Sequence, residues 1–399
     1  MIFLIEILLC AVAIIFLIPC VFLLFECAAA STETNRVLNT ESIVLGATPG
    51  LAIMIPAHNE AEVIGETLEN VLQQVENPQL IHVVADNCSD DTAKIARSYG
   101  VDVIERDDQQ LWGKGYGLDY GLKRLSDNPP EVVIFIDADC YLSPKTIDIL
   151  AHTAVTTGRP VQGTYLMEQP DQPTPKDSIS ILAIIVKNLV RPLGLDKMGF
   201  SCLHTGSGMA IPWLALNQVN LATNKSNEDM KLSVDLALKG YPPLFCPRVE
   251  ISGRLRKGQG ALKQRSRWEH SHLETFLVEA PILTKGAIGQ KRWDLLALAL
   301  EIAILPLSLM VMVWLAGMMV SIAFTVITGY WIHLFLMSLG GICIFLALFI
   351  AWFNFAREKI PAKTLLSIPL YIFWKIPLYF AFLFEPQTGW NKKERDQSS

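Results

Sequence analysis

Two carboxylates at the end of an apolar run are the residues of this sequence best suited to chemistry. Residues 132–136 are all apolar, and Asp137 and Asp139 follow them. Such a run predicts a strand buried on both faces, as in a parallel sheet. Side chains at i and i+2 of a strand lie on one side, and ligands of open α/β sheets bind at the carboxyl ends of strands. Two hard oxygen ligands there suit Mg²⁺ or Mn²⁺. The alternative is a solvated strand end, since Asp is common in turns.

Polar residues also follow the first two predicted strands. Pro56 ends the first apolar run and is followed by His58 and Glu60, and Asp86 ends the second run. Because helical patterns separate these runs, the sequence predicts βαβ units whose strand ends meet at one edge of a sheet. Asp86 is therefore a candidate ligand contact. The acidic residues directly after it also fit a helix N-cap.

Further candidates lie in a glycine-rich segment and at the start of a helical pattern. Lys114 stands between glycines, where the backbone can approach a ligand and the ammonium group can meet a phosphate. Glu228 and Asp229 directly precede a helical pattern over residues 230–239. Ser226 and Asp229 have the spacing of a capping box, and on the sequence alone this is the favoured interpretation of Asp229.

A third group lies in a basic helical stretch. Gln264, Arg267 and Trp268 occupy positions i, i+3 and i+4 and therefore share one helix face. An amide, a guanidinium and an indole on one face could hold a diphosphate and stack on a sugar ring. The alternative is a solvated basic face that touches anionic lipid.

The distribution of apolar residues divides the chain. It has 399 residues, of which 51% are hydrophobic, and its mean hydropathy of +0.34 is high for a soluble protein. The net charge of −6 argues against nucleic acid as a partner. In chain order we predict a transmembrane anchor, a cytoplasmic domain, two transmembrane helices, an interfacial or fourth transmembrane helix and a basic polar tail. These segments are residues 1–26, 45–280, 293–356, 364–386 and 387–399.

Basic residues near the predicted spans indicate their orientation. Arg36, Lys291 and Arg357 all lie on one side of the membrane if the central domain is cytoplasmic and the N-terminus is external. The eight cysteines form no CxxC pair and fit reduced thiols. In the segment 364–386, Lys375 and two prolines favour a kinked interfacial helix over a fourth span.

Taken in order, seven motifs resemble those of the membrane-bound family 2 glycosyltransferases, the group that includes cellulose, hyaluronan and poly-N-acetylglucosamine synthases. The motifs are PAHNE, ADNCSDDT, GKG, DAD, TGSGM, NED and QRSRW, and they cover roughly residues 50–275. The resemblance implies an α/β, Rossmann-like GT-A domain with flanking transmembrane helices. It also implies Mg²⁺ or Mn²⁺ as cofactor and a nucleotide-diphosphate sugar as donor, with a UDP-sugar favoured.

The resemblance assigns roles to the candidate residues. It implies nucleotide-sugar binding for Pro56, His58, Glu60, Asp86, Lys114 and Asp137. It implies metal binding for Asp139 together with Asp137, and the role of general base for Asp229. It implies diphosphate or acceptor binding for Gly206, Glu228, Gln264, Arg267 and Trp268.

The expected activity is inverting transfer of a sugar to a lipid-linked or polysaccharide acceptor at the cytoplasmic face of a bacterial inner membrane. This would serve exopolysaccharide or cell-envelope glycan synthesis, which allows polysaccharide export proteins as partners. Two alternatives stay open. A sugar nucleotidyltransferase would need neither Trp268 nor membrane spans. A non-catalytic nucleotide-sugar-binding subunit of a polysaccharide synthase would tolerate loss of Asp139 or Asp229, and both residues are present.

Overall fold

The structure, a computed structural model, describes residues 1–33, 49–170, 173–254 and 258–384, with only the backbone described for 258–266 and 380–384. Within these ranges the chain forms two units. The sheet unit comprises residues 49–168 and 200–275. The helical unit comprises residues 1–33, 169–199 and 276–384.

The sheet unit is built on one mixed sheet that has eight strands in the described part of the chain, in the order β3-β2-β1-β4-β7-β6-β8-β5. β1 to β4 pair in parallel, and β7 lies antiparallel to β4. This arrangement confirms the predicted α/β fold. The strands are β1 Leu51–Ala57, β2 Ile81–Asp86, β3 Asp102–Arg106, β4 Val132–Phe135, β5 Cys140–Leu142, β6 Val161–Met167, β7 Met209–Pro212 and β8 Leu244–Gly253.

The described helices are distributed over both units. Those of the sheet unit are α2 Ile64–Leu72, α3 Thr92–Ser98, α4 Lys114–Leu125, α5 Thr146–Thr157, α8 Trp213–Leu216, α9 Glu228–Leu238 and the first part of α10 Gly258–Gln290. Those of the helical unit are α1 Ile2–Ser31, α6 Pro175–Ile185, α7 Arg191–Lys197, the end of α10, α11 Trp293–Ala303, α12 Leu307–Thr328, α13 Ile332–Ala351, α14 Ala362–Leu365 and α15 Ile368–Phe384.

The core of the sheet unit supports the ends of the central strands. All four residues of β4 are buried, as expected for a strand covered on both faces. Met54 on β1 and Phe135 on β4 share one apolar cluster with Leu118 on α4 and Leu236 on α9. The helices α4 and α9 are therefore held against the sheet by apolar contacts, and both begin beside the carboxyl ends of its strands.

Four helices in the described part of the chain are long and apolar enough to cross a membrane: Ile2–Ser31, Pro175–Lys197, Leu307–Thr328 and Ile332–Ala356. The second was not predicted from the sequence. It contains Lys187, Asn188 and Arg191, which lower its hydropathy, and most of its apolar residues are buried within the helical unit. Asn188 and Arg191 are buried as well, whereas Lys187 is exposed.

A buried charge cluster joins three helices of the helical unit. The guanidinium of Arg191 lies 2.7 Å from the carboxylate of Glu301 and 3.4 Å from that of Glu26, and all three residues are buried. A β-carbon built at Gly194 would lie 2.1 Å from the carbonyl oxygen of Glu26. Only glycine therefore allows α7 to approach α1 closely enough for this ion pair.

The start of α9 departs from one sequence interpretation. The N-cap residue is Asn227, and its side chain makes no capping hydrogen bond. The Ser226 hydroxyl is buried without a hydrogen-bond partner. The capping box of Ser226 and Asp229 is therefore wrong. The helix begins one residue later than that motif requires, and Asp229 is its second residue.

Candidate active site

The turn between β4 and β5 brings together two carboxylates and a thiol. Asp137, Asp139 and Cys140 each offer a ligand atom, and these atoms lie within 4.8 Å of one another. Cys140 is buried, and Ser207 donates a hydrogen bond to its sulfur at 3.3 Å. The two partly exposed carboxylates are therefore the groups that fit a hard divalent cation such as Mg²⁺ or Mn²⁺.

Lys114, the first residue of α4, reaches across the strand ends to this turn. Its ammonium group donates to Asp137 Oδ1 at 2.5 Å and to the carbonyl oxygen of Gly206 at 2.9 Å, and it lies 3.4 Å from Glu228. Burial lowers the pKa of Lys114, but the charges of Asp137 and Glu228 outweigh burial and raise that pKa above its usual value. Lys114 is therefore a permanent cation in the site.

Gly206 marks the point where the charged groups converge. A β-carbon at this position would lie 3.4 Å from Asp229 Oδ2, 3.7 Å from Lys114 Nζ and 3.9 Å from Asp137 Oδ2. The φ of Gly206 is +95°, in the region that favours glycine. Any other residue here would be strained and would fill the space between Asp229 and the turn after β4.

Backbone and side-chain hydrogen bonds hold the Asp229 segment against the 204–207 loop. Asp229 Oδ1 accepts from the Met230 amide at 2.8 Å, while the Ser233 hydroxyl donates to the carbonyl oxygen of Asp229 at 2.9 Å. The same hydroxyl accepts from the His204 amide at 2.7 Å. One oxygen of Asp229 is thus held by the backbone, and the other is directed toward Gly206.

The carboxyl group of Glu228 has a pKa above the usual value of a glutamic acid. Burial raises its pKa to about 7, even though the charge of Lys114 acts in the opposite direction and Asp229 adds to the increase. A group with this pKa can take up or release a proton near neutral pH. Two neighbouring carboxyl groups with different environments therefore face the same space.

A second group of polar residues lies at the ends of β2 and β3. Asp86 Oδ1 accepts from Arg106 at 2.6 Å and from the side-chain amide of Asn87 at 2.9 Å. Burial raises the pKa of Asp86, although Arg106 acts against this shift. His58 Nδ1 lies 2.7 Å from the Asp86 carbonyl oxygen, and its ring meets Trp112 edge-on.

The remaining predicted residues are placed as follows. Pro56 is the penultimate residue of β1, and the amide of Glu60 donates to the Thr92 hydroxyl at 2.9 Å. Arg267 and Trp268 are half-buried on α10. Gln264 lies in the part of α10 where only the backbone is described. The structure thus joins Lys114, Asp137, Gly206, Glu228 and Asp229 in one cluster, and His58 and Asp86 in another.

Sequence reasoning missed two residues that organise these clusters. Arg106 pairs with Asp86 and donates to the Leu111 carbonyl oxygen at 2.6 Å, so it ties β2 to the segment before Lys114. Ser207 accepts from the Asp137 amide at 3.1 Å. An arginine at the end of β3 and a serine inside the TGSGM motif were the available signals.

Comparison with known proteins identifies the family. The model of the family described as "Glycosyltransferase like family 2" matches residues 49–271, which is more than half of the chain. That of "Glycosyl transferase family group 2" matches residues 184–383. The chain therefore belongs to glycosyltransferase family 2, which confirms the resemblance seen in the motifs.

Individual relatives agree with this assignment. The 4,4'-diaponeurosporenoate glycosyltransferase of Staphylococcus aureus strain USA300 is 38% identical over 160 residues, or 39% of this chain and 40% of the relative. Its counterpart in strain N315 is 33% identical over the same length. The match thus spans about two fifths of these curated relatives.

A solved structure shares the fold over nearly the whole chain. The mannosyltransferase PcManGT of Pyrobaculum calidifontis, solved in complex with GDP-Man and Mn²⁺, has a TM-score of 0.51 and 17% sequence identity. The similarity covers 93% of this chain and 99% of that one. This confirms the GT-A fold.

Proposed function

We propose that the protein transfers a sugar, with inversion, from a nucleotide-diphosphate sugar to a lipid-linked or polysaccharide acceptor at the cytoplasmic face of a bacterial inner membrane. The observation that carries this proposal is the convergence of Asp137, Lys114 and Asp229 around Gly206. Cationic and basic groups within a few ångströms of one open position are what displacement at an anomeric carbon needs.

Departure of the nucleotide diphosphate requires compensation of its negative charge. Asp137 and Asp139 would hold Mg²⁺ or Mn²⁺, which supplies that compensation when bound. PcManGT, solved with Mn²⁺, supports a divalent cation here. Lys114 would bind the diphosphate directly, because its ammonium group stays charged, and Arg267 would add a second cation from α10.

Activation of the acceptor requires a base on the other side of the sugar. An acceptor hydroxyl is a weak nucleophile, so a carboxylate within hydrogen-bond reach must take its proton in the transition state. We assign this role to Asp229, whose Oδ2 faces the space beside Gly206. A single base opposite the leaving group gives single displacement and therefore inversion.

The remaining residues would bind the two substrates. His58, Glu60 and Asp86 would contact the nucleoside together with Pro56, and Gln264 and Trp268 would contact the diphosphate and the acceptor sugar. The candidate spans α1, α12 and α13 support an acceptor that lies in or at the membrane. UDP-sugars are the favoured donors, and GDP-mannose, bound by PcManGT, is the second donor class to test.

A donor and acceptor screen on membranes tests this function. Membranes containing the full-length protein are incubated with labelled UDP-glucose, UDP-N-acetylglucosamine or GDP-mannose, with and without 4,4'-diaponeurosporenoate, the compound named for the S. aureus relative. We expect one donor to label a lipid or glycan product, whose length separates single from repeated addition. If membranes containing the Asp229→Asn variant label the product as strongly as membranes containing the wild type, the assignment of the site is rejected.

A further inference from the structure

Three side chains with metal-binding atoms meet at one end of the helical unit. Glu6 and Cys10 lie one turn apart on α1, and His333 is the second residue of α13. Their candidate ligand atoms lie within 4.8 Å of one another. Glu6 and His333 are only 5% and 0% exposed, whereas Cys10 is half-buried and gives access to the group.

Two buried polar atoms in this group lack a hydrogen-bond partner. Glu6 Oε2 and His333 Nδ1 lie 2.9 Å apart, at ion-pair distance, and neither atom makes a hydrogen bond. Burying such groups without a partner is unfavourable. An additional bound species between them would remove that cost.

The hydrogen bond of His333 Nε2 determines whether Nδ1 can act as a metal ligand. His333 Nε2 lies 3.1 Å from the carbonyl oxygen of Ser321 on α12. A carbonyl oxygen only accepts hydrogen bonds, so Nε2 carries a proton, and in the neutral tautomer that this requires Nδ1 presents its lone pair toward Glu6. An imidazole whose other nitrogen donates to a carbonyl is the usual arrangement of a metal-binding histidine.

We propose that Glu6, Cys10 and His333 form a binding site for a borderline-soft divalent cation of the Zn²⁺ type. Thiolate, imidazole and carboxylate are the ligands that Zn²⁺ takes in proteins, whereas Mg²⁺ and Ca²⁺ prefer oxygen alone. Ligand atoms of a tetrahedral Zn²⁺ lie about 3.3–3.8 Å apart at normal bond lengths. The Cys10 sulfur lies 3.5 Å from Glu6 Oε1, and all three ligand atoms lie within 4.8 Å of one another, so side-chain movements of up to about an ångström complete the geometry.

The ion would join two parallel helices of this unit. Beyond the Glu6–His333 contact, Gly340 on α13 faces Phe16 and Cys20 on α1, so both helices run in the same direction. The ring of Phe324 meets His333 edge-on at 5.4 Å and shields it. A cation bound here therefore fastens the beginning of α1 to the beginning of α13, with water as the fourth ligand.

Cobalt absorption of the full-length, untagged protein in detergent tests this site. Asp137→Asn and Asp139→Asn are introduced first, so that Cys140 cannot supply the thiolate signal. After chelator treatment and buffer exchange, Co²⁺ should bind one equivalent and give a thiolate-to-cobalt charge-transfer band in the near ultraviolet. Zn²⁺ should displace it.

Two serine variants make the result specific. Cys10→Ser should abolish the charge-transfer band and weaken Zn²⁺ binding at least about tenfold. The matched control is Cys20→Ser on the same helix, because the buried sulfur of Cys20 donates to the Phe16 carbonyl oxygen and lies outside the proposed site. This control should keep the charge-transfer band and the Zn²⁺ affinity. A band that persists in Cys10→Ser, or no metal binding at all, would overturn the proposal and leave a simple polar contact.

Thermal unfolding supplies a readout that does not depend on the thiolate band. An ion that binds only the folded protein raises the unfolding temperature in proportion to the logarithm of its concentration. At one hundred times the dissociation constant, Zn²⁺ should raise the unfolding temperature by on the order of 5 °C. His333→Asn should remove this dependence, and an unchanged rise in that variant would argue against the site.

Discussion

One cation stands among three carboxyl groups in the candidate active site. Lys114 contacts Asp137 at 2.5 Å and Glu228 at 3.4 Å, and the charge of Asp229 also raises its pKa. One positive and three negative charges give the cluster a net charge of −2, and protonation of Glu228, whose pKa burial raises to about 7, reduces it to −1. Protonation of Glu228 therefore reduces the electrostatic repulsion among the carboxyl groups of the site.

Replacement of Asp229 by Asn separates catalysis from stability. Asn keeps an Oδ1 that can accept from the Met230 amide but cannot take up a proton at neutral pH. We expect Asp229→Asn to lower the transfer rate at least about 10²-fold, with nucleotide affinity and unfolding temperature unchanged. Initial rates, equilibrium binding and thermal unfolding measure the three quantities.

Glu228→Gln is the matched comparison for this experiment, because it alters the neighbouring carboxyl group. A smaller rate loss in Glu228→Gln than in Asp229→Asn supports Asp229 as the base. Near wild-type turnover of Asp229→Asn would contradict the assignment.

Replacement of Asp139 by Asn tests the metal-binding role of the turn after β4. The variant should fold in membranes and lose nearly all transfer, because an amide oxygen binds Mg²⁺ or Mn²⁺ more weakly than a carboxylate. Excess EDTA should abolish wild-type transfer, and added Mn²⁺ or Mg²⁺ should restore it. Full turnover of the wild-type protein in EDTA would rule out a metal requirement.

At the scale of elements, the loop between α7 and β7 controls the geometry of the site. In this loop the Ser207 hydroxyl accepts from the Asp137 amide, in the turn after β4 that we assign to the metal. The His204 amide donates to the Ser233 hydroxyl on α9. His204 is buried, and Thr205 donates its amide to Gln162 on β6 at 2.9 Å. Contacts to two strands and one helix hold this loop in place.

The burial of His204 predicts acid sensitivity of the sheet unit. Burial lowers its pKa from 6.5 to about 3. In the unfolded protein the His204 imidazole takes up a proton below pH 6.5, whereas in the folded protein it stays neutral down to about pH 3. The free energy of unfolding therefore has its full value above pH 6.5 and decreases as the pH falls. The loss is about 1.4 kcal/mol for each pH unit below 6.5.

Thermal unfolding between pH 7.5 and 5 measures this effect. The unfolding temperature of the wild type should fall more steeply with pH than that of His204→Asn, whatever the stability of the variant at pH 7.5. Parallel pH profiles of the two proteins would show that His204 does not cause the sensitivity.

The helix α10 places an aromatic residue that we assign to the acceptor. Trp268→Ala should raise the KM for the acceptor and leave nucleotide binding intact, since an indole stacks on sugar rings and carries no proton in the reaction. Trp268→Phe, which keeps an aromatic face, should retain most of the acceptor affinity. Equal loss of donor and acceptor binding in Trp268→Ala would point to a structural role instead.

At the scale of the whole molecule, membrane topology is the testable property. The basic residues beside the spans predict a cytoplasmic sheet unit and an external N-terminus. Because α1 and α13 pack in parallel, the beginnings of both helices lie on the same side of the membrane. An external N-terminus therefore places the turn between α12 and α13 outside as well. Trp331 lies in that turn and is 61% exposed.

Cysteine labelling in intact and permeabilised cells tests the topology. Trp331→Cys should react with a membrane-impermeant maleimide in intact cells. Lys94→Cys, at a side chain that is 80% exposed on α3, should react only after permeabilisation. The parent protein, with its own cysteines, provides the background. Labelling of Lys94→Cys in intact cells would reverse the predicted orientation.

The sequence by itself determined the class of fold and most of the candidate residues. The strand before Asp137, the alternation of strand and helix, and the long apolar segments of α1, α12 and α13 are all visible from it. Each depends on residues close together in the chain, because backbone geometry repeats every two or 3.6 residues and a span needs about 20 apolar residues in succession.

The tertiary structure alone decided which groups share a site. Lys114 donates to Gly206, which lies 92 residues further along the chain, and Glu6 meets His333 from the other end of the sequence. It also turned Asp229 from a capping candidate into a group facing Gly206. Such contacts depend on how packed elements bring distant side chains together, and local sequence periodicity carries no information about them. Burial and charge then set the pKa of Glu228 and His204, because both depend on the surroundings of a side chain and not on its chemical type alone.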